Sequence, residues 1–328
     1  MEPRAEREGL MSKREVASPA VVRPTTWGIA MRVSTGVTLV CLGFLAGIRD
    51  ARADDLAVAR PAPYSLPWAL RPAALPTVVR VDSTLAMRDE DTVVATVLTL
   101  GVKVTDEFGF LARGALVHGI DGKASDSAVG NPLVGALYSP HVTESLRCGV
   151  FIAIAAPVGM GGGNSADPNA LALMRAAIPA RSSMDNALFA TNYLTKAVGL
   201  SLAYVANGLT AQLEATAFML ARTRGAAVDR ETTRINFTSG AHVGFAVLPW
   251  LTPSVEVRYQ RWLSTPLAVV RDASRRDTLT LAIGLSGTWK VSERVVLRPG
   301  VAYVEPLDRP MLDVSFRMVQ FDLPIVFP

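Results

Sequence analysis

Residues 278–289 read Thr278-Leu279-Thr280-Leu281-Ala282-Ile283-Gly284-Leu285-Ser286-Gly287-Thr288-Trp289, and this stretch decides the fold. Leucine or isoleucine occupies every second position from 279 to 285, and small or polar residues occupy the positions between them. Successive side chains of a β-strand point to opposite faces of its sheet. The stretch therefore predicts a β-strand with one apolar face and one polar face.

The same alternation returns along most of the chain, in segments near the roughly 9 to 11 residues that a tilted β-strand needs to cross a bilayer. We therefore predict an all-β fold, a transmembrane antiparallel up-and-down β-barrel of about twelve strands. The predicted strands are residues 77–88, 92–104, 108–118, 132–139, 144–157, 198–205, 209–221, 234–247, 254–262, 278–289, 295–304 and 311–327.

The lengths of the connections support this strand assignment, because membrane barrels have short periplasmic turns and long outer loops. If the first strand runs outward, the short turns 105–107, 140–143, 206–208, 248–252 and 291–293 all fall at the inner end. The long connections 119–130, 159–196, 223–233 and 263–277 then fall at the outer end. Within the outer loop 159–196, Asp167-Pro168 is a helix start, with Asp167 as the N-cap and Pro168 as the first helical residue.

The apolar residues are spread along the chain and are not concentrated in one long run. The 328 residues are 50% hydrophobic and 19% charged, with a mean hydropathy of +0.29. After residue 47, however, no apolar run approaches the ~18 residues that a membrane helix needs.

Residues 1–53 are interpreted as an N-terminal extension and signal peptide. Arg32 supplies positive charge, residues 37–48 supply a short apolar core, and Ala51-Arg52-Ala53 matches a cleavage site. The alternative is a short membrane anchor, and the true start is either Met1 or Met31. Residues 54–76 form a Pro-rich periplasmic lead-in, either a tail or an insert in the lumen, and residues 77–328 form the barrel.

Removal of residues 1–53 takes away eight of the 33 Lys and Arg and five of the 29 Asp and Glu, leaving 25 against 24. The mature chain is nearly neutral, so the pI of 9.3 does not indicate nucleic-acid binding. Cys148 alone would remain, which excludes an intramolecular disulfide, and its neighbours Leu146 and Val150 indicate a lipid-facing position.

Charged residues on the predicted strands fall on the polar face, as expected for the side that lines the lumen. The pore-lining candidates are Arg80, Asp82, Lys103, Arg113, Arg147, Glu214, Arg234, Glu256, Arg258, Asp313 and Arg317. Their cationic excess favours anionic solutes. Alternatively, these residues pair with one another and fill a narrow barrel.

The last strand carries a family resemblance. Its alternate apolar row, Val319, Phe321, Leu323, Ile325 and Phe327, resembles the C-terminal insertion signal of bacterial outer-membrane proteins. The resemblance implies a Gram-negative outer-membrane location, with outer-membrane lipid and the barrel-insertion machinery as partners. Pro324 and Pro328 depart from that signal, and a change of parity upstream predicts a bulge near Met318.

The strand number is similar to that of the outer-membrane phospholipase family, which uses a His followed by a Ser two residues later. His118, His141 and His242 do not fit this spacing. No metal, nucleotide or haem motif is found, so we expect a protein that is not an enzyme and binds no cofactor. The pattern is similar to hydrophobic-compound and aromatic-degradation channel families, which implies a channel for small solutes with loop 159–196 as constriction or plug. The alternative is a non-conducting structural or surface-interaction barrel.

Overall fold

A computed structural model of the protein describes residues 64–73, 76–88, 91–120, 125–309, 311–314 and 316–327. All of these residues belong to one unit of the chain, Arg60–Pro328. The predicted signal peptide, residues 1–53, and the start of the lead-in, residues 54–63, lie outside the described residues.

The described chain forms one continuous antiparallel sheet that closes on itself. Its strands are β1 Thr77–Arg88, β2 Asp91–Lys103, β3 Phe108–Ile120, β4 Ser125–Val129, β5 Leu133–Tyr138, β6 Leu146–Ala155, β7 Tyr193–Ala206, β8 Leu209–Arg222, β9 Thr233–Phe245, β10 Leu251–Trp262, β11 Asp277–Gly287, β12 Trp289–Ser292, β13 Val295–Leu297, β14 Gly300–Pro306 and β15 Arg317–Phe327. The fifteen strands make a twelve-stranded barrel because three of the twelve wall strands are each interrupted and counted as two. These pairs are β4 with β5, β11 with β12 and β13 with β14. The predicted twelve-stranded up-and-down barrel is confirmed.

The barrel closes where β1 pairs with β15, from Thr77 opposite Phe327 to Met87 opposite Arg317. Closure satisfies the backbone hydrogen bonds along both edges of the sheet, as a lipid environment requires. Large apolar side chains on the outer face stay exposed, with Leu200 at 62% and Ile283 at 55%. The outer surface is therefore an apolar belt suited to acyl chains.

Residues 278–287 of the first stretch quoted above have the two faces that their alternation predicts. Ile283 and Leu285 point outward and are exposed, whereas Thr278, Thr280 and Ala282 are buried inside the barrel. The same parity applies on the other strands, so the polar face of each strand forms the inner wall.

In the described part of the chain, three α-helices accompany the barrel: α1 Pro168–Ala180, α2 Asn186–Phe189 and α3 Leu267–Arg271. The start of α1 is as predicted, since Pro168 is in its first turn and the Asp167 carboxylate accepts a hydrogen bond from the Asn169 amide at 2.9 Å. Among the described residues, no helix has the length and apolarity to cross a bilayer.

Three predicted boundaries were wrong. Residues 125–129, assigned to a loop from their Gly, Asp and Ser content, form β4 because β3 extends far enough to pair with them. The long outer connection is residues 156–192, since β7 starts at Tyr193. The change of parity before β15 comes from a 3₁₀ turn at Leu312–Val314, not from a bulge near Met318, and the ladder between β1 and β15 is unbroken.

Candidate functional site

The interior of the barrel is occupied by two segments of the chain. The first, residues 64–73, is called here the inner segment, and the second, residues 156–192, the outer loop. Trp68 and Leu70 of the inner segment are 2% and 1% exposed. In the outer loop, α1 packs against β1, β2, β3 and β4, with Met174 fully buried. Of the two alternatives for the lead-in, a tail or an insert in the lumen, its described part, residues 64–73, agrees with the insert.

The inner segment has irregular backbone, and the wall supplies the hydrogen-bond partners that its amides need. The amides of Trp68 and Ala69 donate to the two carboxylate oxygens of Glu256, at 2.7 and 2.8 Å. The Trp68 indole N–H donates to the Ser254 hydroxyl at 2.9 Å. Non-helical backbone is tolerated at membrane depth only where protein or water satisfies it, and here β10 of the wall does so.

The Trp68 ring fits against a part of the wall that carries no side chains. A Cβ atom built on Gly300 would lie 2.5 Å from the Trp68 Cη2 atom, and one on Gly284 would lie 2.7 Å from its Cζ2 atom. Any larger residue at either position would displace the indole. Glycine on β11 and β14 therefore determines where the inner segment can pack.

Arg181, just after α1, attaches the outer loop to β1. Its Nη1 atom donates to Asp82 Oδ1 at 2.8 Å and to Thr84 Oγ1 at 2.9 Å, and its Nη2 atom donates to Asp82 Oδ2 at 2.5 Å. The next two residues, Ser182 and Ser183, have φ angles of 54° and 55°, a left-handed conformation that non-glycine residues seldom adopt. The chain thus turns sharply to place the fully buried Arg181 guanidinium on the wall.

Asp185 adds a second charged contact between the outer loop and the wall. Its carboxylate accepts from Arg113 Nη1 on β3 at 2.6 Å and from Arg181 Nε at 3.1 Å. Burial alone would raise the pKa of Asp185, but the two guanidinium groups hold this pKa well below its usual range. The carboxylate is therefore ionised at neutral pH.

Asn131, which precedes β5, also attaches the outer loop to the wall. Its amide nitrogen donates to the carbonyl oxygens of Ala187 and Ala190 at 3.1 and 2.9 Å. Its amide oxygen accepts from the Gly159 N–H at 2.9 Å. One fully buried side chain thus binds both the start and the end of the outer loop.

Two arginines of the wall, Arg80 on β1 and Arg258 on β10, contact one insert each. Arg80 donates to Asp322 at 2.7 Å and to the Pro67 and Trp68 carbonyl oxygens of the inner segment at 2.9 and 2.8 Å. Arg258 donates to Glu256 at 2.7 Å and to the Ser182 hydroxyl of the outer loop at 3.3 Å. We call this set the charged belt; its members are Arg80, Asp82, Arg113, Arg181, Asp185, Glu256, Arg258 and Asp322.

Six of the predicted pore-lining residues lie on the inner wall in contact with these inserts or with each other. They are Arg80, Asp82, Arg113, Glu214, Glu256 and Arg258. Three others lie at the rims of the barrel. Lys103 and Arg147 bind Asp106 in the turn before β3, and Arg234 binds Asp229 and Glu231 at the other end.

The prediction that Asp313 and Arg317 line the lumen was wrong. Asp313 is on the exposed 3₁₀ turn and pairs with Arg309 at 3.2 Å. Arg317 is exposed and shares the outward parity of Phe321, because the alternation of β15 is unbroken from Arg317 onward and no bulge near Met318 reverses it.

Several charged residues of the interior are absent from the predicted pore-lining set, for different reasons. Asp322 was detectable, since it alternates with the outward Phe321 and Leu323 on β15. Arg71, Arg181 and Asp185 lie in irregular segments without any period. With them included, the described charged belt, the inner segment and Glu214 hold five arginines, Arg71, Arg80, Arg113, Arg181 and Arg258, against five carboxylates, Asp82, Asp185, Glu214, Glu256 and Asp322. Arg298, which follows β13, adds a sixth guanidinium, and this group donates to the Tyr64 carbonyl oxygen of the inner segment. Among these residues the expected cationic excess is therefore reduced to one charge.

A cavity of about 40 Å³ remains between the inner segment and β1 to β3. Trp68, Leu70, Arg80, Asp82 and Arg113 are among its lining residues. This volume accommodates only a few water molecules, so the inner segment fills most of the space beside β1 to β3.

Ser65, His242 and Glu256 lie in a row inside the barrel. The Ser65 hydroxyl is 3.0 Å from His242 Nε2, and His242 Nδ1 is 3.4 Å from Glu256. A search for local His and Ser spacing could not find this contact, because 177 positions separate Ser65 from His242. All three side chains are buried, and Glu256 also binds the inner segment, so the row serves to anchor that segment. In the described parts of the chain, no cluster of three His, Cys, Asp or Glu side chains is placed to bind a metal ion.

No family model matches the chain, and no curated protein matches its sequence. Among solved structures it is similar to the KdgM porin, with 11% identity and a TM-score of 0.44 over 76% of this chain and 99% of that one. It is also similar to an outer-membrane channel from Pseudomonas putida F1, with 13% identity and a TM-score of 0.48 over 82% and 100%. A third match is the translocator domain of the autotransporter NalP from Neisseria meningitidis, with 9% identity and a TM-score of 0.41 over 89% and 98%.

The barrel's own geometry establishes its class. A closed antiparallel barrel with an apolar outer belt and a polar interior is the architecture of outer-membrane proteins. The chain is an outer-membrane β-barrel, and its lumen holds two inserts that polar contacts attach to the wall.

Proposed function

We propose that the protein is an outer-membrane channel for small solutes whose lumen is closed by two inserts of its own chain. The observation that carries this proposal is the chemistry beneath the outer loop. The loop covers Asp82, Thr84, Arg113 and Arg258 of the wall, and each of them binds the loop through a hydrogen bond or ion pair.

A wall of this kind is suited to water once the outer loop withdraws. Burial of a charge without a partner is strongly unfavourable, whereas a hydrated charge is not. Arg113 and Asp82 would exchange their loop partners for water and would leave a polar surface along β1 and β3. Withdrawal of an apolar plug, in contrast, would leave a hydrophobic wall that resists wetting.

The alternative function, a non-conducting structural or surface-interaction barrel, is favoured by a different observation. Only about 40 Å³ of space remains in the cavity beside the inner segment. The described buried charges also pair with one another, as expected if the inserts simply fill the barrel.

Single-channel recording in planar bilayers separates the two functions. The full chain is compared with a variant in which residues 162–190 are replaced by a short Gly-Ser linker, which removes α1 and α2. We expect rare or small openings of the full chain and sustained, larger steps for the shortened variant. The control is a similar replacement of residues 264–276, which removes α3 from the same end of the barrel. Silence in all three forms, with correct folding, would favour the non-conducting barrel.

A further inference from the structure

Arg71 of the inner segment lies between two aromatic rings of the wall. Its Cζ atom is 4.8 Å from the ring centre of Phe151 on β6 and 5.3 Å from that of Phe218 on β8. Both rings are buried, at 4% and 1% exposure. These distances are within the range of favourable cation–π contacts, and the exclusion of water strengthens them.

The strands create this space through small residues on β7, which runs between β6 and β8. Gly199 on β7 is directly opposite Phe151 on one side and Thr216 on the other. A Cβ atom on Gly199 would lie 2.4 Å from Thr216 Oγ1. Backbone atoms of β7 therefore form the bottom of the gap between the two rings, and a flat group can enter this gap from the lumen.

The same space carries a negative charge. Arg71 Nη1 forms an ion pair with Glu214 and donates to Thr216 Oγ1 at 2.9 Å. The Thr216 hydroxyl in turn donates to Glu214 Oε1 at 3.1 Å. The Glu214 side chain is only 2% exposed, so its charge depends on a cation held in this space.

The other interior arginines differ from Arg71 in their surroundings. Arg80 and Arg181 bind carboxylates, carbonyl oxygens or hydroxyls, and no aromatic ring of the described chain is recorded over either guanidinium. At Arg71 the barrel wall contributes the rings, the carboxylate and the hydroxyl, while the inner segment contributes the guanidinium and the Arg71 backbone N–H, which also donates to Glu214. Displacement of that segment would leave a buried anion between two aromatic faces.

We propose that Phe151, Phe218, Glu214 and Thr216, called here the aromatic clamp, form a lumen site for the guanidinium group of a solute. In this structure Arg71 occupies the site as an intramolecular ligand. This inference deepens the proposed function and rests on it only for the statement that the ligand is a transported solute. It replaces the earlier expectation of an anionic solute.

Guanidinium fits this site better than ammonium does, for two reasons. A planar cation can stack on both rings at once, and its forked N–H groups can reach Glu214 and Thr216 together. An ammonium group is a compact, strongly hydrated charge that loses more water when it enters such a space.

The first test is chemical rescue of the full-length Arg71→Ala variant in detergent. Thermal unfolding midpoints are measured with methylguanidinium, methylammonium or N-methylurea, the last being a neutral molecule of similar shape. We expect methylguanidinium to raise the midpoint, to bind at least about tenfold more tightly than methylammonium, and to leave the occupied wild-type site unaffected. N-methylurea should have no effect, because it cannot neutralise Glu214.

Matched variants locate the ligand. In the Arg71→Ala background, Phe218→Leu should weaken methylguanidinium binding about fivefold, as expected for the loss of one ring. Glu214→Gln should abolish the difference between methylguanidinium and N-methylurea. The control is Arg80→Ala, which vacates a space beside Asp322 where no described ring lies over the guanidinium, and it should show no preference for methylguanidinium over methylammonium.

If Arg71→Ala does not fold alone, its folding yield in each of the three compounds becomes the measurement. Recovery with methylguanidinium only would support the clamp. Equal effects of methylguanidinium and N-methylurea, or no binding to the folded variant, would overturn it, as would unchanged affinity after Glu214→Gln.

Bilayer currents separate this inference from the proposed function. A clamp that binds methylguanidinium in a barrel that never conducts would refute the channel but retain the site. A conducting barrel without a guanidinium preference would refute the site. The end-blocked peptide Ala-Leu-Arg-Pro, copied from residues 69–72, distinguishes the source of the group. Tighter binding of the peptide than of methylguanidinium would indicate an arginine peptide, and equal binding would indicate a small guanidinium compound.

Discussion

Substitution Arg181→Ala should release the outer loop from the barrel wall. Arg181 is fully buried and joins the loop to β1 through Asp82 and Thr84. Removal of one partner from a buried ion pair costs about 3 to 5 kcal/mol, because the other charge remains buried. In this case Asp82 retains a hydrogen bond from Gln320 at 2.8 Å, and Asp185 retains Arg113 at 2.6 Å. We therefore take the low end of the range, about 3 kcal/mol.

A loss of about 3 kcal/mol corresponds to a change of roughly 100-fold in an equilibrium, since each 1.4 kcal/mol is a factor of ten. If the anchored loop and the closed channel are the same state, the ratio of open to closed time should rise by about that factor. Single-channel recording on purified full-length protein measures this ratio directly.

The control is Arg175→Ala, which removes the same charge from an exposed position on α1. We expect its open time to equal that of the wild type. The reasoning would be refuted by an Arg181→Ala barrel that is correctly folded yet opens no more often than Arg175→Ala.

Three further predictions concern stability and assembly. Trp68→Ala should destabilise the barrel by about 3 to 5 kcal/mol, seen as a lower thermal midpoint, whereas Trp289→Ala at a 52% exposed position should have little effect. Burial raises the pKa of Asp308, in the loop after β14, from 3.8 to about 7, and its Oδ1 atom has no recorded hydrogen-bond partner. Because the folded state holds this proton more tightly, stability should fall as pH rises from 3.8 to about 7, and Asp308→Asn should reduce that slope in pH-dependent melting. Phe327→Ala, which removes an outward aromatic at the end of β15, should lower the yield of membrane-assembled barrel in cells without changing the melting point of the assembled fraction, and a normal yield would argue against recognition of this row.

The barrel wall was predictable from sequence because its determinants are local and periodic. Each strand must have alternate residues facing lipid, so Leu279, Leu281, Ile283 and Leu285 show the period without any knowledge of their neighbours. The turn at Asn207-Gly208 was equally clear, since Asn207 has a φ angle of 51° and Gly208 one of 78°, as a tight hairpin requires.

The contents of the lumen were not predictable in the same way. The inner segment has no period, because its amides bind wall side chains such as Glu256 and not a neighbouring strand. The alternation of β10 predicts that Glu256 faces inward. It does not predict the hydrogen bond from Trp68, because the two residues are 188 positions apart. Arg181 is similar, since its partner Asp82 is 99 residues earlier in the chain. The pairing that forms β4 was missed because its composition is that of a turn and only β3 makes it a strand.

The ladder between β1 and β15 joins the two ends of the barrel sequence, so it is the contact with the greatest separation along the chain and we expect it to form late. The inner segment directly precedes β1 and enters the lumen from the same end. After this ladder has formed, the segment could enter the lumen only end-on, through an opening of the closed barrel. We therefore expect the inner segment to lie inside the curved sheet before β15 pairs with β1, so that closure of the barrel encloses it.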